Sequence, residues 1–473
     1  MTSRGPTLTD AKGMGGLNAQ DGFDYQVWDA LIRLPAWLQN LAFEGLLIEG
    51  LEDAEARFFA PHAPRGYLLD RFQSKSGVLT RGELKTVLES FAAFEAAHPR
   101  VARVQTLVTP ALPAELRWVA RDPDRVRRAR PFYAPFADIG AASDQKLRDD
   151  LVGEFGATLG GVFAESVEVM LRPLADRATA VAAFGVALHD AFPALDVGSR
   201  ATANAFGALD ELVGQSRGVM LTRERLLATL RTALGVDLVP DTPLRVHVRS
   251  DRNAPEADAI EIDAADFSGV GGAFPAPERW QAGLVVPLQA TARWAIARGY
   301  GRVALSGSYR LSTAFTLGWA FRSAAGFEID IPTRSGPWAT DERVASPEVA
   351  VPWRIAEPDR LVNGRLVVGV GVLRDPSRDI VAARALPDAS YLLAAVLPQP
   401  LTDGREAQAS AELIKRSVVG AVARLRPAGV DVYYVGPAAF AVALGHRWNA
   451  MPTTQLYEFV AAEQQYTETV QMG

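Results

Sequence analysis

The chain has 473 residues, 48% hydrophobic and 22% charged, a composition that favours about three folded units and excludes a disordered or fibrous protein. Its net charge of −6 argues against a surface covered with nucleic acid, although it allows a local basic cleft. The absence of cysteine excludes thiol catalysis, disulfides and cysteine-based metal sites, and the five histidines are scattered, so any metal is expected on carboxylates. We find no signal sequence and no apolar run of about 18 residues, and therefore expect no membrane span and a cytoplasmic location.

The N-terminal region predicts a compact α/β unit that ends near residue 110. The first sixteen residues include Gly13, Gly15 and Gly16 and show no apolar period, so we expect a flexible leader there. Apolar residues recurring every three or four positions predict a helix over 21–40. Three short strands follow from Phe43, and a capping box at Thr80 and Glu83 then opens a second helix before the strand RVQTLVT.

Residues 111–237 have a mostly helical pattern, clearest over 150–171 and 223–235. Two prolines and a change of period near 236–243 predict a domain boundary. The prediction is therefore a domain over 1–237 with a helical extension, followed by a domain over 238–473.

An arginine-rich stretch lies at the start of this helical extension, with basic residues at Arg117, Arg121, Arg125, Arg127, Arg128 and Arg130. Such a cluster could contact DNA phosphates, since sequence-independent binding is chiefly electrostatic. Because Asp122 and Asp124 dilute the charge, we favour a solvated helix face.

From Leu244 onward strands alternate with helices, which predicts parallel sheets covered by helices. The pattern divides into doubly wound halves over 244–345 and 346–473. In each half a strand that ends in glycine precedes a helix with an internal glycine, Gly318 in the first half and Gly445 in the second. An internal repeat explains this echo, and coincidence between common α/β patterns is the alternative.

Three polar residues of the predicted strands form a candidate catalytic group. Asp53 heads one strand, and Gln73 and Lys75 share one face of the next at period two. Phosphodiester cleavage needs a divalent cation held by oxygen ligands and a positive group that orients water, which an acid, an amide oxygen and an ammonium provide. The alternative is that Gln73 and Lys75 are ordinary surface residues and that Asp53 caps a turn.

This stretch, with Gly22-Phe23-Asp24-Tyr25-Gln26 on the preceding helix, resembles the restriction-endonuclease-like domain of SAVED effectors in CBASS anti-phage defence. The resemblance implies that Asp53 is a metal ligand, Gln73 the second active-site position and Lys75 the catalytic lysine. It also makes Glu49 a weaker candidate ligand, Gln26 a supporting residue, and Mg²⁺ or Mn²⁺ the cofactor. Gln73 departs from the commoner acid at its position.

The C-terminal halves lack the dinucleotide-binding fingerprint, because arginine stands at position 374 where the third glycine is needed. Polar or basic residues instead follow the ends of predicted strands, where ligands of doubly wound folds bind. The candidate ligand-binding residues there are Arg249, Ser306, Gly307, Tyr309, Arg310, Arg374, Gly436 and Pro437. These residue types suit a phosphorylated ligand that undergoes no chemistry.

The stretches GRVALSGSYRLSTAFTLGWAF and VDVYYVGPAAFAVALGHRWNAMPTTQLYEF are similar to the SAVED domain, a fusion of two CARF-like units that senses cyclic oligonucleotides. On this resemblance Tyr309 and Trp338 would stack on bases, although for Trp338, Tyr457 and Leu317 a packing role is at least as well supported.

The predicted protein is an anti-phage effector in which a cyclic oligonucleotide, with a cyclic trinucleotide favoured, binds the SAVED domain and activates metal-dependent cleavage of double-stranded DNA. Ligand-induced self-association is expected to bring nuclease units together. The alternative is a catalytically inactive nucleic-acid or partner-binding platform regulated by a nucleotide, and a nicotinamide-dependent oxidoreductase is a distant third.

Overall fold

A computed structural model describes residues 11–49, 53–133, 137–174, 176–236, 242–250, 259–269, 273–340, 351–461 and 463–473. The chain divides into two compact units, Met1–Pro240 and Asp241–Gly473. The boundaries predicted at 237/238 and 345/346 both lie outside the described residues.

The first unit combines a mixed sheet with eight described helices. Its elements in chain order are α1 (Ala11–Gln39), β1 (Phe43–Ile48), β2 (Ala54–Phe59), β3 (Tyr67–Ser74), α2 (Arg81–Ala97), β4 (Ala102–Thr109), α3 (Trp118–Tyr133), α4 (Ala137–Phe155), α5 (Ala157–Ser166), β5 (Val167–Leu171), α6 (Arg177–Ala191), α7 (Ser199–Gly214), β6 (Leu221–Thr222) and α8 (Arg223–Leu234). The strand order is β5-β4-β3-β2-β1-β6. Strands β1 to β3 form the predicted antiparallel meander, and β4 and β5 continue it in parallel.

Helices cover both faces of this sheet. On one face α1 buries Leu31, Leu34 and Leu38 in a core that includes Phe72 of β3. On the other face α2 buries Leu84, Val87, Leu88 and Phe91 against β4 and β5. The predicted capping box is confirmed: Thr80 accepts a hydrogen bond from the Glu83 amide, and the Glu83 carboxylate accepts one from the Thr80 amide.

Three details of the first unit differ from the prediction. Residues 11–16 lie within α1, so the glycine-bearing segment is helical from Ala11 onward; an established helix gains one hydrogen bond for each added residue. The unit does not end near residue 110, because β5 and β6 extend the same sheet. Residues 167–171, predicted as helix, form β5, since the exposed edge of β4 pairs with them from Gln105↔Val167 onward.

The second unit contains two sheets. Its first half comprises β7 (Leu244–Arg249), β8 (Ile260–Asp263), α9 (Pro277–Trp280), a π-helical turn (Gln281–Val285), α10 (Val286–Ala297), β9 (Arg302–Gly307), α11 (Leu311–Ala320), β10 (Glu328–Ile331) and β11 (Trp338–Ala339). Its second half comprises β12 (Arg354–Ala356), β13 (Arg365–Val372), α12 (Ser377–Ala383), β14 (Leu392–Leu397), α13 (Gly404–Leu425), β15 (Gly429–Val435), α14 (Ala438–Arg447), β16 (Thr454–Val460) and β17 (Gln465–Met472).

The two sheets have orders β11-β10-β9-β7-β8 and β12-β14-β13-β15-β16-β17. Their inner strands are parallel, and β11, β12 and β17 add antiparallel edges. The predicted α/β fold class, with strand–helix alternation in both halves, is confirmed.

Helices α11 and α14 cross closely where the two repeat glycines lie. A Cβ atom on Gly318 would stand 2.0 Å from the carbonyl oxygen of Val442, and one on Gly445 would stand 2.0 Å from that of Phe315. Only glycine therefore permits this approach. The two glycines that indicated a repeat in the sequence therefore lie where the two halves of the second unit meet.

Candidate functional site

Three candidate residues of the first unit occupy one row across adjacent strands. The antiparallel register pairs Ala54 with Phe72, so Asp53 falls opposite Gln73 one position further along. On the other side, Ile48 pairs with Ala54, and the Glu49 amide donates a hydrogen bond to the Asp53 carbonyl oxygen at 3.0 Å. Glu49, Asp53 and Gln73 are thus neighbours at the ends of β1, β2 and β3.

Gln73 and Lys75 lie on the face of the sheet that α2 covers. Phe72 packs against Trp37 of α1, with ring centroids 5.3 Å apart, and the neighbouring positions of a strand point to the opposite face. The Lys75 amide donates to the Val108 carbonyl oxygen at 2.8 Å and so extends the pairing of β3 with β4 by one residue.

The Asp53 carboxylate points along the end of β3. Its Oδ2 accepts a hydrogen bond from the Ser74 amide at 2.6 Å, between the two other candidate residues. Oε1 of Gln73 is buried and has no hydrogen-bond partner among the described residues. The structure therefore brings Asp53, Gln73 and Lys75 together; we name these three residues the β2–β3 edge site.

The buried guanidinium of Arg71 supports this site from a neighbouring position of β3. Arg71 is 1% exposed; its guanidinium donates to Oε1 of Gln105 at 2.8 Å and lies 3.5 Å from the ring centroid of Phe94. The Glu55 carboxylate is 3.8 Å from Nε of Arg71. These contacts tie β2, β3, β4 and α2 together directly beside Gln73, which fixes the strand ends that carry the site.

The side chains of the other two candidates point elsewhere, although the Glu49 backbone is next to Asp53. Glu49 has a positive φ of 57° and an exposed side chain 3.8 Å from the guanidinium of Arg217, which itself lies over the Phe23 ring. Gln26 lies on α1, the helix that packs on the sheet face opposite Gln73 and Lys75. Its neighbour Tyr25 is buried and donates to the Arg172 carbonyl oxygen at 2.8 Å, which anchors this end of α1 to the segment after β5.

The donor set of the β2–β3 edge site fits a hard divalent cation. It offers a carboxylate and a buried amide oxygen that lacks a partner among the described residues, and Mg²⁺ is usually bound through one or two carboxylates while it keeps several waters. The described residues contain no group of three or more carboxylates or histidines placed to hold a metal, and residues 50–52 lie outside them. Among the described residues, Asp53 and Gln73 are the side chains of this site that would hold such a cation, with water filling its remaining positions.

Three arginines of the cluster, all in α3, form ion pairs. Arg121 contacts Asp122, Arg128 contacts Asp124 at 2.7 Å, and Arg127 contacts Glu168 of β5. These ion pairs support the solvated helix face over a dedicated phosphate contact. The side chain of Arg130 lies outside the described residues.

The second unit has a cavity of about 290 Å³ between its two halves, which we name the inter-half pocket. Its walls are Tyr309, Arg310 and Leu311 from the first half and Arg374, Asp379, Tyr434, Val435, Glu458, Phe459 and Tyr466 from the second. It lies beyond the carboxyl ends of β9, β13 and β15, the edge at which such sheets bind ligands.

The pocket takes in some of the predicted ligand residues. Tyr309, Arg310 and Arg374 line it, and Gly436 and Pro437 directly follow its wall residue Val435. The Tyr434 hydroxyl donates to the Pro437 carbonyl oxygen at 2.7 Å, which fixes this turn.

The remaining predicted ligand residues lie elsewhere. Arg249 pairs with Glu261 at 2.8 Å and Asp263 at 2.7 Å, and Ser306 contacts His247 at 3.0 Å. Gly307 has a φ of 95°, and a Cβ there would stand 2.1 Å from the Val248 carbonyl oxygen, so it serves close strand packing.

The residues for which the sequence left a packing role open, Trp338, Tyr457 and Leu317, are packed in the structure. Trp338 is 7% exposed in β11, and Leu317 is fully buried in α11. Tyr457 stacks on Tyr433 at a centroid distance of 4.4 Å and donates to Glu468 at 3.2 Å. Burial of Trp338 leaves Tyr309 as the predicted aromatic that reaches the pocket.

Sequence reasoning missed five polar or aromatic wall residues: Asp379, Tyr434, Glu458, Phe459 and Tyr466. Tyr434 precedes the strand-end glycine Gly436 by two residues, and this position near a strand end is the sequence signal that could have identified it. Tyr466 comes from the antiparallel edge strand β17, which no strand-end rule indicates. Burial raises the pKa values of Tyr309 and Tyr466 to about 12, so both hydroxyls stay protonated well above neutral pH.

Comparison with known proteins agrees with this architecture. Residues 288–472 match the SAVED family, described as "SMODS-associated and fused to various effectors sensor domain". Two curated relatives named CD-NTase-associated protein 4 each align with 99% of this chain and 99% of their own length. The protein from Acinetobacter sp. (strain ATCC 27244 / 9458) is 20% identical and that from Moraxella osloensis 21%. The resemblance to SAVED effectors of CBASS is confirmed, with the match to the sensor domain in the C-terminal part of the chain.

A solved structure shares the fold. The Acinetobacter baumannii Cap4 SAVED/CARF-domain containing receptor with the cyclic trinucleotide 2'3'3'-cAAA matches with a TM-score of 0.75 at 19% identity, covering 95% of this chain and 98% of its own. Among the described residues of the present chain, no helix has the length and apolarity needed to cross a membrane.

Proposed function

We propose that this chain, a SAVED-domain protein similar along its whole length to CD-NTase-associated protein 4, is a CBASS effector nuclease. A cyclic oligonucleotide, with a cyclic trinucleotide favoured, binds the inter-half pocket. Binding drives self-association and activates metal-dependent cleavage of double-stranded DNA by the first unit in the cytoplasm.

The pocket supports the ligand class by its chemistry. Arg310 and Arg374 bring guanidinium groups for phosphates from opposite halves, and Arg374 is held at the pocket wall by Asp379 at 2.5 Å. Tyr309, Phe459 and Tyr466 offer aromatic faces for bases, and stacking on such faces is tolerant of base identity. The structure of the Acinetobacter baumannii Cap4 receptor includes the cyclic trinucleotide 2'3'3'-cAAA, which favours that ring size here.

The β2–β3 edge site supports hydrolysis of a phosphodiester. Asp53, fixed by the Ser74 amide, and the buried amide oxygen of Gln73 would hold a divalent cation, Mg²⁺ or Mn²⁺. Bound there, the cation supplies charge neutralisation and a nucleophile near pH 7. The Lys75 ammonium orients the attacking water and stabilises negative charge on the phosphate.

One observation carries this proposal: the register places Asp53 directly opposite Gln73, two residues from Lys75, with Oε1 of Gln73 buried and without a partner among the described residues. A surface strand whose polar residues merely face solvent would leave its amide oxygen exposed to water. A buried amide oxygen without a partner costs free energy, which a cation would offset by coordination.

The test uses the full chain with plasmid DNA, either Mg²⁺ or Mn²⁺, and a panel of cyclic di- and trinucleotides. Cleavage is expected with one member of the panel, accompanied by a rise in molecular mass in light scattering. Cleavage without ligand, or none with any ligand and either metal, would overturn the proposal.

The site assignment is tested with Lys75→Ala and the matched control Lys85→Ala, which removes an exposed lysine of α2. We expect Lys75→Ala to lower the cleavage rate by about 100-fold or more while ligand affinity stays unchanged. Lys85→Ala should cleave at the wild-type rate. Full activity in Lys75→Ala rejects the assignment.

An inactive DNA-binding or partner-binding platform is the second candidate. It is favoured by glutamine rather than an acid at position 73 and by the lack of a three-carboxylate cluster among the described residues. Calorimetric titration with Mn²⁺ separates the two. If the site is catalytic, the wild type binds Mn²⁺ and Asp53→Ala does not. If the unit is a platform, neither protein binds the ion.

A further inference from the structure

Helix α11 begins at the wall of the inter-half pocket, but its N-terminal cap comes from the other half. Arg310, the residue before α11, provides no side-chain cap. Instead the Glu458 carboxylate of β16 accepts a hydrogen bond from the Ser312 amide at 2.6 Å, across 146 residues of sequence. A carboxylate suits this place because the first amides of a helix lack partners and carry positive partial charge.

Further contacts hold the same helix end. The Ser312 hydroxyl lies 2.8 Å from Oγ1 of Thr469 in β17, and Thr469 in turn donates to the Leu456 carbonyl oxygen at 3.0 Å. Glu458 is only 5% exposed, so water cannot easily replace its carboxylate as the cap. The start of α11 is thereby fixed to β16 and β17.

Tyr309 and Arg310 directly precede the capped turn and line the pocket. Their positions therefore depend on where α11 begins relative to the second half. We infer that Glu458 is a positioning residue for the ligand: by capping α11 across the two halves, it holds Tyr309 and Arg310 in place to bind it. This inference rests on the proposed ligand-binding function of the pocket.

The electrostatics favour an indirect role. A phosphate-bearing ligand is an anion, and a nearby carboxylate repels it, so direct contact between Glu458 and a phosphate would be unfavourable. The charged groups that line the pocket with it are Arg310, Arg374 and Asp379. Removing only the charge of Glu458 should preserve binding, provided that a hydrogen-bond acceptor remains for the Ser312 amide.

The experiment compares Glu458→Ala with Glu458→Gln in the full chain, with 2'3'3'-cAAA and the other cyclic trinucleotides as probes in calorimetry. We expect Glu458→Ala to weaken binding by about tenfold, the fold-change that loss of one strong helix cap produces. Glu458→Gln keeps an acceptor and should bind within about threefold of wild type. The control is Glu463→Ala, which removes an exposed carboxylate between β16 and β17 and should bind normally.

Each outcome decides the inference. An equal loss of ligand affinity in both Glu458 variants would show that the charge itself is needed. Unchanged affinity in Glu458→Ala would show that the cap does not position the pocket residues. Either result overturns the inference. Melting curves are recorded in parallel, since a purely structural role lowers the melting temperature of Glu458→Ala without a loss of affinity in the folded fraction. If the wild type binds no cyclic oligonucleotide, the proposed function fails instead.

Discussion

The β2–β3 edge site and the inter-half pocket are assembled in opposite ways. Asp53, Gln73 and Lys75 come from two strands joined by a short connection, and only 22 positions separate the first from the last. The pocket gathers residues from Tyr309 to Tyr466, contributed by both halves of the second unit. An antiparallel meander places near neighbours in sequence side by side, whereas parallel strands with helical crossovers bring distant segments together.

This difference has a mechanical consequence. The edge site depends on strand register and on the buried Arg71 beside it, all within one sheet. The pocket depends on how α11 and α14 cross, because both helices begin near its walls and meet at Gly318 and Gly445. A change far from the ligand should therefore disturb the pocket, while the edge site should respond chiefly to changes in its own strands.

The largest expected effect comes from Gly318→Ala. Its Cβ would lie 2.0 Å from the Val442 carbonyl oxygen and 2.6 Å from the His446 amide nitrogen, and neither backbone atom can move without separating the helices. We expect destabilisation of the second unit by about 3 kcal/mol, weaker ligand binding, and unchanged Mn²⁺ binding in the first unit. Differential scanning calorimetry and titration measure these.

The matched control is Gly420→Ala in α13, where an added Cβ meets no atom within 4 Å. It should be neutral or stabilising by up to about 1 kcal/mol, since alanine favours helix more than glycine does. If Gly318→Ala has the same melting temperature as this control, the crossing of α11 and α14 does not hold the two halves together. The contrast drawn between the edge site and the pocket would then be wrong.

An intermediate effect is expected from pH. His446 is 1% exposed, its Nδ1 lies 2.7 Å from the Phe321 carbonyl oxygen of the other half, and burial lowers its pKa to about 4. The unfolded chain, with a histidine pKa near 6.5, then binds more protons than the folded one between these values. Stability is therefore full above about pH 6.5 and falls by about 2 kcal/mol on reaching pH 5.

The measurement is the pH dependence of the calorimetric transition that Gly318→Ala shifts. His446→Gln keeps a donor for the Phe321 carbonyl oxygen and removes the titration, so its stability should lack this slope between pH 7 and pH 5. An identical slope in both proteins would assign the effect to another group.

The smallest effect belongs to the first unit. Thr80→Ala removes the capping box of α2, the helix that covers the edge-site face of the sheet. We expect a loss of about 1 kcal/mol in the first unit with ligand affinity unchanged. Thr86→Ala, within the same helix and exposed, is the control and should change stability by less than about 0.5 kcal/mol. A change in ligand affinity in Thr80→Ala would show that the pocket depends on packing within the first unit and would contradict this prediction.

The sequence alone determined the features that depend on near neighbours. The capping box at Thr80 and Glu83, the apolar face of α2 and the antiparallel meander follow from periods and caps that span a few residues. The spacing of Gln73 and Lys75 on one strand face follows from the two-residue period. The alternation of strands and helices after Leu244 likewise indicated parallel sheets.

Only the tertiary structure decided the long-range pairings. β5 and β6 joined the first sheet, Trp338 was buried rather than exposed for stacking, and Glu458 came to cap a helix 146 residues away. No local period contains this information, because a strand edge or a helix end accepts whichever segment the topology brings to it. The pocket was therefore only partly visible in the sequence, while the proximity of Asp53, Gln73 and Lys75 arises within a single meander and could be predicted from it.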